Sequence, residues 1–164
     1  MIALLCPVAA SSAVAVGDGP EELIRALYNV HRPWERKELN LGNRAVVSKY
    51  FTPELTKLFL KNAQIERDCP KGDLCGLEFD PIIGSEDYDD DLKFNPRITP
   101  ATPPQAGRSE VHFKLFNEEK AENVVVFQLV QLKTGWRIDD IICPRLDNPS
   151  LKAILTAVLK ENRE

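Results

Sequence analysis

Histidine is scarce in this chain, with only His31 and His112 among its 164 residues. The sequence also lacks the nucleophile motif G-x-S-x-G, the zinc motif H-E-x-x-H, the Walker phosphate loop and the dinucleotide motif G-x-G-x-x-G. Catalytic triads and multi-histidine metal sites therefore have few residues to draw on. These absences favour a binding protein over an enzyme, and they predict no cofactor and no metal site.

An excess of basic charge is lacking as well. The chain carries 21 Lys and Arg against 25 Asp and Glu, a formal net charge of −4. Because nucleic-acid binding needs a concentrated basic patch that neutralises phosphates, this balance disfavours a nucleic-acid partner. The length and a hydrophobic fraction of 43% suit one globular domain with its own core.

The apolar run at the start of the chain, Ile2 to Val16, is shorter than the about 20 residues that a membrane-spanning helix needs. It carries no charge and ends in an A-x-A processing site at Ala13 and Ala15. We therefore expect residues 1–15 to be a signal peptide and residues 16–164 to be a single exported domain, periplasmic or secreted. A buried strand is the alternative, which the small residues fit poorly.

The expected state of each cysteine depends on that export. Cys6 would leave with the leader, and a lipoprotein acylated on Cys6 is the weaker alternative. The short loop between Cys69 and Cys75 contains Pro and Gly and can bring its ends within disulfide distance in an oxidising compartment. We predict a Cys69–Cys75 disulfide and a buried, unpaired Cys143; a bond from Cys143 to either loop cysteine is the alternative.

Helical periodicity dominates the residues before Cys69. The first helix is predicted to begin at Gly19-Pro20 and to end before Pro33. A short helix is predicted from Ala45 to Phe51, and a third after the capping residue Thr52. His31, on the face of the first helix, is expected to be a half-buried packing residue.

Strand patterns dominate the second half of the chain. Residues 69–105 are rich in proline, so a loop is predicted there, with short edge strands at 77–83 and 92–98. Apolar residues alternate from Val111 to Leu115, which predicts a half-buried strand. Further predictions are a hairpin through Gly135 that joins 123–133 to 136–142, a core face made by Trp136, Ile138 and Ile142, and a last helix with an apolar stripe from Leu151 to Leu159.

This order of helices, loop, strands and helix is typical of an α+β fold. We expect a curved antiparallel sheet wrapped around the N-terminal helices, as in cone-shaped domains, together with a C-terminal helix.

Four short motifs carry a family resemblance: Leu77-Glu78-Phe79-Asp80-Pro81, Asp87-Tyr88, the stretch from Gly135 to Ile141, and Ser150-Leu151. Jointly they resemble the bacterial domain-of-unknown-function 3828 family of secreted or lipid-anchored proteins, over residues 23–159. That family looks like a branch of the nuclear-transport-factor-two-like (cystatin-like) superfamily. The superfamily includes isomerases, dehydratases and non-enzymatic binding domains, so the resemblance implies a fold and leaves the function open.

The resemblance also implies site residues. Asp80 and Asp87 match the family pattern and are expected to organise loops. With Tyr88 and Arg137 they are the candidate ligand-binding residues.

His112 and Asp139 are the candidate catalytic pair. In a shared pocket they could act as base and acid, with Arg137 as an anion anchor. The alternative is a surface histidine and a cross-strand ion pair.

The acidic run from Glu86 to Asp91 does not fit a calcium loop, because Leu92 stands in place of the required glycine and Ile98 in place of the distal glutamate. It is interpreted as a solvated acidic loop.

The sequence thus predicts an exported, non-catalytic binding module of the cell envelope, a monomer or homodimer. Its partner would be an envelope protein, a peptide or a small molecule. Two alternatives are an isomerase or dehydratase with a pocket Asp and His, and an immunity-type inhibitor of an envelope-acting toxin that presents the acidic loop.

Overall fold

The computed structural model of the protein describes residues 19–100, 107–146 and 150–162. The expected signal peptide, residues 1–15, lies outside this range together with its processing site. Within the described ranges, no helix combines the length and the apolar character needed to cross a bilayer.

The described residues form four α-helices: α1 Pro20–Val30, α2 Arg44–Val47, α3 Pro53–Asp68 and α4 Leu151–Glu161. α1 begins with a proline and two glutamates, which suits the positive end of a helix dipole. The side chains of Asn43, Thr52 and Ser150 accept backbone N–H groups and cap α2, α3 and α4. A 3₁₀ turn, Pro33–Glu35, follows α1.

The described strands form one antiparallel sheet in the order β1-β2-β3-β4: β1 Arg97–Pro100, β2 Arg108–Phe113, β3 Asn123–Leu132 and β4 Gly135–Ile142. Val111 of β2 lies opposite Val125 of β3, and both are buried. β3 and β4 form the predicted hairpin, and Gly135 has a φ of +102° that favours glycine. The expected α+β fold, with a curved antiparallel sheet and a C-terminal helix, is confirmed.

The core lies between this sheet and the helices. α1 contacts both outer strands, β1 and β4, and buries Leu23, Ile24, Leu27 and Tyr28. α3 and α4 pack on each other and on β4. The carboxylate of Asp140 anchors the start of α4, because it accepts the backbone N–H of Lys152 at 3.0 Å.

The outer edge of β4 is covered by backbone rather than left open. Ile138 donates its N–H to the carbonyl of Tyr50 and accepts the N–H of Thr52, and Ser150 forms a bridge to Ile142. A covered edge cannot pair with another chain. The pairing also explains why α2 ends at Val47 and not at Phe51 as predicted, since residues 50–52 are needed beside the sheet.

A β-bulge at Asp139 changes the face assignment of β4. Leu129 lies opposite Ile138 and Gln128 opposite Asp140, so Asp139 has no partner in the ladder. The extra residue shifts the alternation, and the core receives Ile138 and Ile141. The prediction that Ile142 shares a face with Ile138 was wrong. Trp136 packs against the core but is only half-buried.

The predicted edge strands also differ from the structure. Residues 77–83 are described and form no strand, because Asp80, Pro81 and Gly84 build a tight turn there. The strand predicted at 92–98 is shifted to Arg97–Pro100. Pro96 has no N–H to donate, and the ladder begins after it.

A candidate ligand-binding cleft

A buried polar cluster surrounds the turn formed by residues 80–85. The carboxylate of Asp80 accepts the N–H groups of Ile82 and Ile83 with Oδ1. Tyr28 Oη donates to the Ile82 carbonyl at 2.8 Å, and Asn123 Nδ2 donates to the Ile83 carbonyl at 2.7 Å. Side chains from α1 and β3 thus hold a turn that has no strand partner of its own.

His31 completes this cluster from the end of α1. Its side chain is buried, and Nε2 lies 2.6 Å from Asp80 Oδ2. The Leu39 N–H donates to Nδ1 at 3.2 Å, which requires a lone pair on that nitrogen. The ring proton is therefore on Nε2, which donates to Asp80. Both ring nitrogens are occupied, so this His–Asp pair has no free nitrogen with which to accept a proton from a nucleophile or a substrate.

Two other ionisable groups near this turn, the thiol of Cys143 and the hydroxyl of Tyr28, have raised pKa values. Burial raises the pKa of the Cys143 thiol to about 12, with the nearby Asp140 and Asp80 acting in the same direction. Burial likewise raises the pKa of Tyr28, again assisted by Asp80. A protonated thiol is a poor nucleophile, and burial favours this form of Cys143.

The candidate catalytic residues have separate partners. His112 lies on β2, where Nε2 is 3.2 Å from Glu110 and Nδ1 is 3.6 Å from Glu122. Asp139 lies on β4 and forms a 2.8 Å ion pair with Lys152. The structure places the two on strands that β3 separates and ties each to its own charged neighbours.

The candidate ligand-binding residues are also dispersed. Asp80 holds the turn, and Arg137 donates to the carbonyl of Trp136 at 2.6 Å. Asp87 is exposed and borders a shallow cleft of about 320 Å³ beside Phe79 and Phe116. Tyr88 is half-buried and contacts Trp34 edge-to-face.

Within the described residues, no group of three or more His, Cys, Asp or Glu side chains is arranged to hold a metal ion. A disulfide joins Cys69 to Cys75 across a Cα–Cα distance of 5.8 Å. Cys143 is buried and has no disulfide partner in the part of the chain that the structure describes.

A cleft of about 290 Å³ opens between α1 and the segment that leads into β1. We call it the Trp34 cleft. One wall is polar and is made by Arg25 and Asn29 of α1 together with Arg32, which lies between α1 and the 3₁₀ turn. The spacing i, i+4 places Arg25 and Asn29 on one face of the helix, and hydrogen bonds to the Tyr28 carbonyl and to Asn29 Oδ1 hold Arg32 beside them.

The facing wall is apolar. Leu92, Phe94, Pro96 and Ile98 line it, and they are alternate residues of one segment. In an extended chain alternate side chains project to the same side, which explains why the intervening Lys93 and Asn95 line a different depression. The cleft is therefore amphipathic across its width.

Aromatic rings connect the cleft to the core. Trp34 lies 4.5 Å from Phe94 between ring centroids, and Phe94 lies 5.2 Å from Tyr28. Tyr28 in turn contacts Phe127 of the central strand edge-to-face. Buried aromatic contacts of this kind restrain the rings, so the apolar side of the cleft is set by the fold.

The two arginines of the cleft differ in how firmly their side chains are held. Arg32 is held by three donated hydrogen bonds, to the Tyr28 carbonyl, Asn29 Oδ1 and Glu35 Oε1. Arg25 is 59% exposed, and its nearest carboxylate, Glu21, is 4.0 Å away. Arg25 is thus available to a ligand, whereas Arg32 is already oriented.

Glu35 is the one acid in the lining of the cleft, and its charge is already compensated. Hydrogen bonds from Lys37, at 2.8 Å, and from Arg32 hold its pKa below the ordinary value. The charged residues of the lining are two arginines and one glutamate, which leaves one positive charge in excess.

No family model, no curated protein and no solved structure matches this chain. The family resemblance inferred from the sequence motifs stays a prediction.

None of the residues that line the Trp34 cleft was predicted as a site residue. Two patterns could have indicated them: the polar spacing of Arg25, Asn29 and Arg32, and the apolar alternation from Leu92 to Ile98. Each pattern describes only one wall. The two walls come close together only because α1 packs against the sheet, and no local sequence pattern predicts that packing.

Proposed function

We propose that this protein is an exported, non-catalytic binding domain, with the Trp34 cleft as its ligand site. One observation carries the proposal. The polar groups that resemble catalytic machinery, above all His31 and Asp80, are fully bonded to the protein itself. The Trp34 cleft, in contrast, offers an exposed guanidinium at Arg25 and an open apolar wall.

The cleft has the features of ligand sites in general. Such sites join apolar and aromatic walls to a small number of fixed polar groups. Here Phe94 and Trp34 supply the aromatic surface, and Arg32 is a polar group whose orientation is fixed before a ligand arrives. A preoriented group binds with a smaller loss of conformational entropy.

Export is the second part of the proposal. The Cys69–Cys75 disulfide supports it, because disulfides persist in oxidising compartments. The A-x-A site at Ala13 and Ala15 adds a sequence argument.

A screen of small fragments by protein-observed NMR tests the site. We expect hits to shift the backbone amides of Trp34, Phe94 and Ile98. Asn29→Trp, which fills the cleft from the exposed surface of α1, should abolish those shifts. Lys57→Trp adds the same side chain to an exposed position of α3 and should leave them intact.

Hits that cluster elsewhere, or that survive Asn29→Trp, would contradict the assignment of the site. Each hit should also be recovered chemically unchanged after prolonged incubation with the protein, as measured by mass spectrometry. A hit that the protein converts to a product would contradict the non-catalytic part of the proposal.

A further inference from the structure

The charge and the size of the Trp34 cleft identify a class of ligand. We propose that it binds a small aromatic carboxylate, with the carboxylate on the arginine wall and the ring on the apolar wall. This inference rests on the proposed function, because it names the ligand chemistry of the same site.

The arginine wall suits an anion. A guanidinium has five N–H donors, and Arg32 uses three of them within the protein. One N–H on each terminal nitrogen of Arg32 remains. Arg25, which lines the same wall from α1, is highly exposed and only loosely paired. Arginine binds carboxylates through two parallel hydrogen bonds that are shorter and stronger than neutral ones.

The opposite wall suits a flat apolar group. Phe94 and Pro96 present rigid surfaces, and Trp34 packs against Phe94 at one end. Ile98 extends this wall into β1. An aromatic ring can stack on such a surface with little loss of side-chain entropy, because the ring contacts around Phe94 already restrain it.

The charge of Glu35 does not oppose this ligand. Lys37 and Arg32 both donate hydrogen bonds to it, so its carboxylate is compensated from two sides. The excess positive charge of the cleft lies with Arg25, the residue with the most freedom to reach a ligand.

The volume limits the size of the ligand. A cleft of about 290 Å³ is at the lower end of small-molecule sites, which hold roughly 300–1,000 Å³. One or two fused rings with a carboxylate fit this space. An acidic peptide segment is the competing occupant, and the test below separates the two.

Calorimetric titration with three naphthyl probes of similar size tests the charge preference: the anion 2-naphthoate, neutral 2-naphthamide and cationic 2-naphthylmethylamine. We expect 2-naphthoate to bind about fivefold or more tightly than the amide, and the amine to bind weakest. Arg25→Gln should remove that preference. Arg44→Gln, which removes an exposed arginine of α2, should keep it.

Equal affinity of the wild-type protein for the acid and the amide would overturn the inference, and so would a preference that survives Arg25→Gln. An acetylated and amidated Glu-Phe dipeptide that binds more tightly than 2-naphthoate would also overturn it, in favour of a peptide. If the fragment screen finds cleft ligands but none of the three naphthyl probes binds, the inference fails and the proposed site stands. If no fragment perturbs the cleft, the proposed function itself fails.

Discussion

His31 and Asp80 are joined by a part-buried 2.6 Å contact between Nε2 and Oδ2, and bonds within the protein engage both nitrogens of the ring and both oxygens of the carboxylate. The Leu39 N–H occupies the second nitrogen of the imidazole, and the Ile82 and Ile83 N–H groups occupy the other carboxylate oxygen. The pair connects the end of α1 to the 80–85 turn. We therefore propose that this His–Asp pair serves the fold.

Asp80→Asn tests that role. The amide oxygen can still accept from Ile82 and Ile83, but its NH₂ group would face the Nε2–H of His31. The loss of this part-buried, charge-assisted bond should lower the free energy of unfolding by about 1–3 kcal/mol. Asp87→Asn is the matched control, because Asp87 is exposed, and it should change stability by less than about 0.5 kcal/mol. Urea denaturation measures the free energy of unfolding of both variants. Equal losses in Asp80→Asn and Asp87→Asn would show that the bond to His31 contributes little.

Gly84→Ala tests the packing of the turn against Cys143. A Cβ at Gly84 would lie 3.0 Å from Cys143 Sγ and 3.3 Å from Val125 Cγ2, at a φ of +66°. Gly72→Ala has a φ of +97° and no atom within 4 Å, so it reports backbone strain alone, about 1–2 kcal/mol. Gly84→Ala should cost about 1–3 kcal/mol more than this, as in overpacked cores. Similar thermal midpoints for the two variants would contradict the packing.

The thiol of Cys143 predicts a loss of stability at high pH. Its pKa is about 12 in the folded protein and near the ordinary thiol value of 9.0 when the chain is unfolded. The unfolded state therefore loses its proton first, and the stabilisation that is complete below pH 9 falls as the pH rises towards 12. Between pH 8 and pH 10, the free energy of unfolding of the wild type should fall by about 1 kcal/mol more than that of Cys143→Ala, which has no thiol to ionise. A constant difference would show that the thiol is not buried.

Removal of the disulfide gives a further prediction. Cys69→Ser combined with Cys75→Ser should lower the free energy of unfolding by about 2 kcal/mol, from the entropy of the open loop in the unfolded chain. Leu74→Ser in the same loop is the control, because Leu74 is 84% exposed and should be nearly neutral. An unchanged unfolding midpoint for the double variant would mean that the bridge does not restrain the unfolded state.

The fold class followed from patterns that local physics sets. Capping residues, turn glycines and periodicity act within a few residues, so the sequence predicts the elements that they set. These elements are the helix start at Pro20, the cap of α3 at Thr52, the hairpin at Gly135 and the apolar stripe of α4. The bulge at Asp139 could not be predicted from the sequence. It depends on how β4 pairs with β3 and on the ion pair that Asp139 makes with Lys152.

The site was harder to predict than the fold. The residue types suited to catalysis pointed to His112 and Asp139, but their side chains form ion pairs with Glu110 and with Lys152. The Trp34 cleft joins residues about 70 positions apart in the chain, and each wall alone has the pattern of an ordinary amphipathic segment. A polar helix face becomes one side of a cleft only when the fold places an apolar segment opposite it.

Trp34→Leu provides the most direct test of the account, in which the Trp34 cleft binds a ligand and the buried polar cluster serves only the fold. The measurement is the dissociation constant for 2-naphthoate, with folding checked by circular dichroism. Leucine removes the ring that packs on Phe94, and the loss of aromatic contact should weaken binding about tenfold. Trp136→Leu, which alters the other tryptophan outside the cleft, should leave the constant unchanged. Unchanged binding by Trp34→Leu, or an equal loss in both variants, would contradict the account.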